Sequence, residues 1–210
     1  MQEYIYQERY ELTQHTLEKA KIFEIQERVC DYLDYVVIYD CLDNAKLLIE
    51  EYKNKKTVCI IGCSENPDLV DDDTKLSYDL YCSHPCSEED LESLVDFLVS
   101  VRTGDTHGDP EDVKQFRISD TNNAFSIKHF NGANLKKITK NLTKLINEKT
   151  AQHSSYQNIY ASIFSKKIKL EEVDNLLSAI NQEFGDEISL LFTTVEDESS
   201  DSSKIIFLCS

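Results

Sequence analysis

"DYVVIYDCLDNAKLLIEEYKNKKTVCIIGC", Asp34 to Cys63, is the stretch on which the fold turns. Its two ends, "DYVVIYD" and "TVCIIGC", are short runs of β-branched, aromatic and other apolar residues, and they read as strands. Between them "NAKLLIEEYKNKK" carries apolar residues three and four apart, as one face of a helix requires. Strand, helix and strand in succession make a βαβ unit, whose two strands run parallel because the crossover returns the chain to the same end of the sheet. The expected class is therefore α/β with a parallel sheet.

Upstream, Leu12, Leu17, Ala20, Phe23, Ile25, Val29 and Leu33 recur at helical spacings, which predicts one packing helix over Tyr10–Leu33, bearing His15. Downstream, "NPDLVDDDTK" reads as a solvated acidic loop, since it lacks the glycine turn and distal glutamate of a calcium loop. "YDLYC" reads as a third strand. "SEEDLESLVDFLVSV" reads as a long helix with Ser87 as N-cap and Asp90 completing a capping-box-like start. Further on come a strand "NAFSIKHF" holding His129, a turn "NG", an amphipathic helix "ANLKKITKNLTKLINEK", and a polar connection holding His153. A strand "YQNIYASIF" and a helix "KLEEVDNLLSAINQEFG" with Gly185 as C-cap follow. The last two strands, "EISLLFTTV" and "SKIIFLCS", are read as an antiparallel hairpin across the acidic "EDESSDS". The chain divides into an α/β half over 1–105, ending in the long helix, and a second α/β half over 106–210.

The 210 residues include 39 acidic and 22 basic side chains, a formal charge of -17 that repels phosphate backbones and anionic lipid surfaces. Nucleic acid and direct membrane contact are excluded as expected partners. No run approaches a transmembrane span, and "MQEYIYQERYEL" lacks the basic and apolar regions of a signal peptide. Seven cysteines, an odd number without scaffold spacing, suit a reducing compartment, so the cytoplasm is the expected location.

Three constellations could carry chemistry. "HGDPEDVKQF", His107–Phe116, is a good helix start, with Asp109 as N-cap, Pro110 at the first helical position and Glu111 and Asp112 in the first turn. Cys63, Cys82, His84 and Cys86 could converge at the C-terminal edge of two parallel strands as soft zinc ligands or reactive thiols, although the spacing is C-x-x-x-C and free cysteine also packs well. Cys59 faces a strand interior. Lys136, Lys137, Lys140 and Lys144 form a basic stripe on one helix face, either solvated or a contact for an acidic partner. No Ser/His/Asp order, Glu-x-x-His helix or phosphate loop is present.

This order of elements, a βαβ half, a long helix, an Asp-rich loop and then strand, helix, strand, helix and two strands, resembles the tubulin/FtsZ family. The likeness is clearest in "YQNIYASIF", "LEEVDNLLSAINQEFGDEISLLFTTVED" and "KIIFLCS". It implies a partial Rossmann-like parallel sheet, a long central helix and an FtsZ-type C-terminal α/β domain with a mixed sheet. FtsZ proteins carry an Asn-x-Asp-x-x-Asp loop after the central helix, which enters the next subunit's nucleotide site and positions the attacking water. The matching window is His107–Asp112, where Asp109 and Asp112 are kept and His107 replaces the asparagine.

The family's glycine-rich phosphate loop is missing. Where it would follow "DYVVIYD", this chain has "DCLDNAK", with no glycine to allow close backbone approach and two added negative charges. About 34 residues precede that strand, too few for the family's first strands and first phosphate loop at ordinary lengths. The resemblance thus implies a truncated, non-enzymatic relative without GTP binding or any cofactor. It would act through protein contacts as a scaffold or a cap of a filament, with FtsZ or itself as partner. His107, Asp109, Glu111, Asp112, Lys136 and Lys140 are the expected contact residues, with Asp109 and Asp112 either acting in trans on the partner's GTP or only starting a helix. The chain's last residue follows its last strand, so no C-terminal membrane-adaptor peptide is expected. The alternatives are a small zinc- or thiol-dependent protein built on Cys63, Cys82, His84 and Cys86, or an adaptor in an unrelated bacterial assembly.

Overall fold

The computed structural model describes residues 10–17, 19–28, 30–41, 44–105, 108–119, 122–149, 157–184, 188–198 and 200–210. The chain forms two compact units, one of residues 1–103 with 108–126 and the other of 104–107 with 127–210. Both are α/β.

In the first unit, β3 (Tyr35–Tyr39), α1 (Ala45–Asn54) and β4 (Cys59–Cys63) form the expected βαβ unit, with β3 and β4 parallel and Tyr35 opposite Cys59. Every residue of both strands is buried, which is why they read as continuous apolar runs. The side chains alternate between faces: Val36, Ile38 and Ile60 pack with Leu48, Ile49 and Tyr52 of α1. β5 (Leu80–Cys82) and the start of β6 (Ala124–Gly132) continue the sheet in parallel. Gly62 lies where a Cβ would meet Tyr81 and Tyr78 ring atoms at 2.7 and 2.8 Å, so glycine is what lets those rings close on the strand.

Two expectations fail in this unit and a third just beyond it. Tyr10–Leu33 is not a helix but β1 (Tyr10–Leu17) and β2 (Ala20–Glu27), an antiparallel pair with Leu17 opposite Ala20, and His15 therefore sits on a strand. The apolar spacing fits either period, while Thr13, Thr16, Ile22, Phe23 and Ile25 favour the extended chain. β2 then pairs antiparallel with β3, and its buried residues Ala20, Ile22 and Ile25 meet the core. The acidic loop after β4 instead contains a 3-10 turn (Pro67–Leu69) and α2 (Asp72–Lys75). Asp71 caps α2, accepting from the Thr74 N–H at 2.9 Å and the Thr74 hydroxyl at 2.6 Å, which pulls its carboxyl below the usual range. The third failure, the "NG" turn, lies where the chain leaves this unit: β6 runs on through Asn131 and Gly132, and a Cβ at 132 would meet Ile138 at 2.7 Å.

α3 (Glu88–Thr103) is the expected long helix. Ser87 and Asp90 close its start reciprocally: Asp90 N–H donates to the Ser87 hydroxyl at 3.2 Å, and Ser87 N–H to the Asp90 carboxylate at 3.0 Å. Leu91, Leu94, Val95, Leu98 and Val101 are buried, and the helix packs against β3. At its last turn Arg102 meets two buried carboxylates, Glu27 at 3.3 Å and Asp34 at 3.5 Å. Its guanidinium also donates to the Gly108 carbonyl at 3.3 Å, just before α4 (Pro110–Lys114).

In the second unit, β7 (Asn158–Ser165) lies between β8 (Ser189–Glu196) and β9 (Ser203–Cys209), with the order β6-β9-β7-β8. β8 and β9 do not form the expected hairpin. β7, α6 (Leu170–Phe184) and β8 make a second parallel crossover unit, and the connection 197–202 then carries the chain to the other side of β7, where β9 runs antiparallel. α5 (Leu135–Lys149), capped by Asn134 accepting from the Lys137 N–H at 2.9 Å, packs beside α6. Leu135, Ile138 and Leu142 of α5 join Val173, Leu176 and Ile180 of α6 over Ile159, Ile163, Ile205 and Phe207. Burying each such side chain stabilises the unit by about 1.5–3 kcal/mol. Gly185, the expected C-cap of α6, and His153 lie outside the described residues.

Arg102→Ala leaves Glu27 and Asp34 buried without their shared cation and should cost about 3–5 kcal/mol in urea unfolding, part of which Asp34→Asn should return by removing one buried charge. Burial raises the Asp34 pKa above its ordinary 3.8, with the Glu27 charge adding to the rise and Arg102 opposing it. Over the window from 3.8 to that raised value the folded chain holds more protons than the unfolded one, so this group's contribution to stability falls as pH rises. Asp34→Asn should remove that slope from the variant's curve, so that it appears in the difference between variant and parent.

Candidate functional site

At the C-terminal end of β3 the chain turns with Asp40 in the left-handed region, φ 54. The Asp40 N–H donates to the Cys63 carbonyl at 3.0 Å, which holds the turn against the end of β4. Its carboxylate accepts from the Ser64 hydroxyl at 2.8 Å and from the Glu65 N–H at 2.9 Å, and Ser64 in turn accepts from the Asn66 N–H at 3.0 Å. α1 then opens from Asn44, also left-handed at φ 63, with no acidic residue in its first turn. Donors at such a strand edge are where α/β folds commonly hold anions. Here the donors are occupied by the protein's own carboxylate.

A phosphate brought within about 4 Å of Asp40 would meet repulsion of about 1 kcal/mol in bulk water and about 4 kcal/mol at a surface dielectric near 20. Glu65 adds a second carboxylate at the same edge, close to Tyr39. The Tyr39 hydroxyl donates to the Cys86 carbonyl at 3.1 Å. Burial, first of all, and these carboxylates push the Tyr39 phenol well above its usual range.

Three of the four expected soft ligands do meet here. Cys63 and Cys82 end adjacent parallel strands, and the Cys86 side chain lies beside both, its thiol donating to the Ser87 carbonyl at 3.7 Å. The fourth does not join them: His84 is exposed and contributes only its carbonyl, which accepts from Cys82 Sγ at 3.5 Å. The neighbouring Cys86 side chain, together with burial, holds the Cys82 thiol well above its ordinary pKa, and the neighbouring Cys63, with burial, raises Cys86. Protonated, buried thiols are poor nucleophiles and poor ligands. Among the described residues, no group of three or more His, Cys, Asp or Glu side chains is arranged to hold a metal ion. Cys59 is fully buried in β4 and raised by burial.

The Asp-rich stretch forms α4. Asp109 accepts from the Glu111 N–H at 3.1 Å, and the Asp112 carboxylate accepts from the Asp109 N–H at 2.9 Å, a reciprocal capping box. Both carboxylates thus start a helix, while Glu111 is exposed. His107 lies outside the described residues. Lys136, Lys137 and Lys140 are exposed on α5, and nothing is described of the Lys144 side chain. Composition alone does not reveal the roles of Asp40, Ser64 and Arg102. An aspartate directly after an apolar run, and an arginine ending an apolar helix, are the signals the sequence carries at Asp40 and Arg102.

Alanine at Asp109 should cost about 0.5–2 kcal/mol through lost capping. A thiol reagent at neutral pH should label the half-buried Cys30 and Cys41 in the native chain, and Cys59, Cys63, Cys82, Cys86 and Cys209 only on unfolding. Fast native labelling of Cys82 or Cys86 would contradict the locked cluster.

No protein-family model matches the chain, and no curated protein matches it. Among solved structures it is similar to an FtsZ mutant from M. jannaschii, with a TM-score of 0.58 and 12% identity over 80% of this chain and 61% of that one. It is also similar to CetZ from Methanosaeta thermophila, with a TM-score of 0.55 and 10% identity over 85% of this chain and 62% of that one. The chain thus spans about three fifths of the length of the structures it matches, and the likeness is one of fold: mixed α/β, of the FtsZ type.

Proposed function

We propose that this chain is a non-enzymatic protein of FtsZ-type fold that works through protein contacts, as a scaffold or as a cap on a cytoskeletal filament. The observation that carries the reading is Asp40. Standing at the end of β3, its carboxylate occupies the donors of the loop after β4, Ser64 and Glu65, at the edge where a nucleotide phosphate would sit, and no glycine stands between β3 and α1 to bring backbone close to a phosphate. The charge of -17 and the absence, among the described residues, of a helix long and apolar enough to cross a membrane agree with a protein partner.

In a head-to-tail filament each subunit joins the next through two different faces, so the contact propagates in one direction. A chain that keeps the loop-bearing face and lacks a working nucleotide face would stop growth at the end on which it docks. α4 supplies the contact surface, with Glu111 outward and Asp109 and Asp112 holding the helix start. The exposed Lys136 and Lys140 offer a second, basic contact.

The test is titration of the purified chain into FtsZ from the source organism, following GTP turnover and sedimentable polymer. A change in either at substoichiometric ratios is expected, and Asp109→Ala/Asp112→Ala should keep most of it, since these residues shape the surface and do not act on the partner's GTP. No change at equimolar ratio would contradict the cap, and loss of stimulated turnover with binding intact would restore a chemical role to the two aspartates.

A further inference from the structure

β1 is the end strand of the first unit's sheet, paired with β2, and among the described residues no strand lies beyond it. Its eight residues, "YELTQHTL", include no lysine, proline or glycine, and the pairing with β2 is continuous over all eight. Exposed edges in soluble proteins are ordinarily protected by such residues or by bulges, because an open row of N–H and C=O groups invites another strand. This edge has none of these protections.

The phase of the open edge can be derived. The Ile25 carbonyl accepts from the Asp34 N–H at 2.9 Å, so the odd-numbered residues of β2 turn their backbone groups toward β3. The even-numbered ones, Ala20, Ile22, Glu24 and Gln26, then face β1, where they oppose Leu17, His15, Thr13 and Glu11. The outer edge accordingly presents the backbone groups of Tyr10, Leu12, Gln14 and Thr16. Side chains of Glu11, Thr13 and His15 share the face of the sheet that carries α1, where His15 Nε2 lies 3.4 Å from the Tyr52 hydroxyl. All three residues are exposed.

We propose that β1 pairs with β1 of a second copy of this chain, antiparallel about a two-fold axis through Thr13. In a symmetric antiparallel pair, residues facing each other share a hydrogen-bonding phase, so the axis passes through a residue and not between two. Only Thr13 and Gln14, as axes, pair seven residues of the strand. The axis through Gln14 sets Glu11 against Leu17, a carboxylate against an apolar side chain. The axis through Thr13 sets Glu11 opposite His15 twice and Thr13 opposite Thr13, both favourable cross-strand pairs. It also bonds Leu12 to Gln14 and Tyr10 to Thr16 on each side through the backbone. The two Glu11–His15 pairs, each a carboxylate acceptor facing an imidazole that can donate to it, therefore select a second copy and its register, and the pairing stands or falls independently of any filament contact.

The test is sedimentation velocity of the full chain from low to high micromolar concentration, where a dimer is expected. Gln14→Pro removes an outward N–H that β2 does not use, so the fold should keep its circular dichroism while the dimer weakens by about tenfold or more. Glu11→Lys should weaken it as well, and Glu11→Lys/His15→Glu should restore it. Under mild oxidant Thr13→Cys should cross-link two chains, because non-bonded partners stand about 4.5–5.5 Å apart at Cβ, whereas Gln14→Cys should not. A monomer at every concentration, a dimer indifferent to Gln14→Pro and to the charge exchange, or cross-linking at position 14 and not at 13 would each overturn the proposal.

Discussion

Arg102 is the constraint on which the lower end of the first unit depends. Its guanidinium reaches Glu27 at the end of β2, Asp34 at the start of β3 and the Gly108 carbonyl ahead of α4. Two carboxylates buried to 5% and 0% exposure could not remain in that position without a cation between them. The last turn of α3 is also where a cation is favoured by the helix dipole. A single side chain thus ties a hairpin, a parallel strand and the entry to the Asp-rich helix to the end of the long helix.

At the opposite end of β3 an internal anion does the corresponding work. Asp40 closes the strand, reaches the loop after β4 through Ser64 and Glu65, and fills the donors there. Beside it, Cys63, Cys82 and Cys86 make a buried joint between two strand ends and the approach to α3, the Cys82 and Cys86 thiols donating to the His84 and Ser87 carbonyls. A strand edge that could hold a ligand is instead closed by the protein's own groups. The proposed role through protein contacts rests on that closure more than on any missing catalytic side chain.

Much of this was legible in the residues. The strands Tyr35–Tyr39, Cys59–Cys63 and Leu80–Cys82 carry no charged residue because they are covered on both faces, and the Ser87–Asp90 and Asp109–Asp112 caps follow from short-range chemistry that any local window contains. β1 and β2 were not legible: leucines and isoleucines at three and four spacings satisfy a helix face, the β-branched residues weigh only weakly against it, and the pairing of β2 with β3, with Ile22 buried in the core beside α1, decides for strands. The order β9-β7-β8 was hidden for a different reason. A six-residue connection can turn a hairpin or step over a neighbouring strand, and the choice is made by the β7-α6-β8 crossover, which claims one side of β7 first. The thiol cluster was half legible, since strand order brings Cys63 beside Cys82, whereas the outward turn of His84 belongs to the loop.

The closed strand edge is the centre of this account, and equilibrium binding of GTP to the full chain with magnesium present measures it most directly. The account predicts no saturable binding up to millimolar nucleotide. Stoichiometric binding at micromolar concentration would contradict it, because Asp40 would then have to release Ser64 and Glu65 to a phosphate.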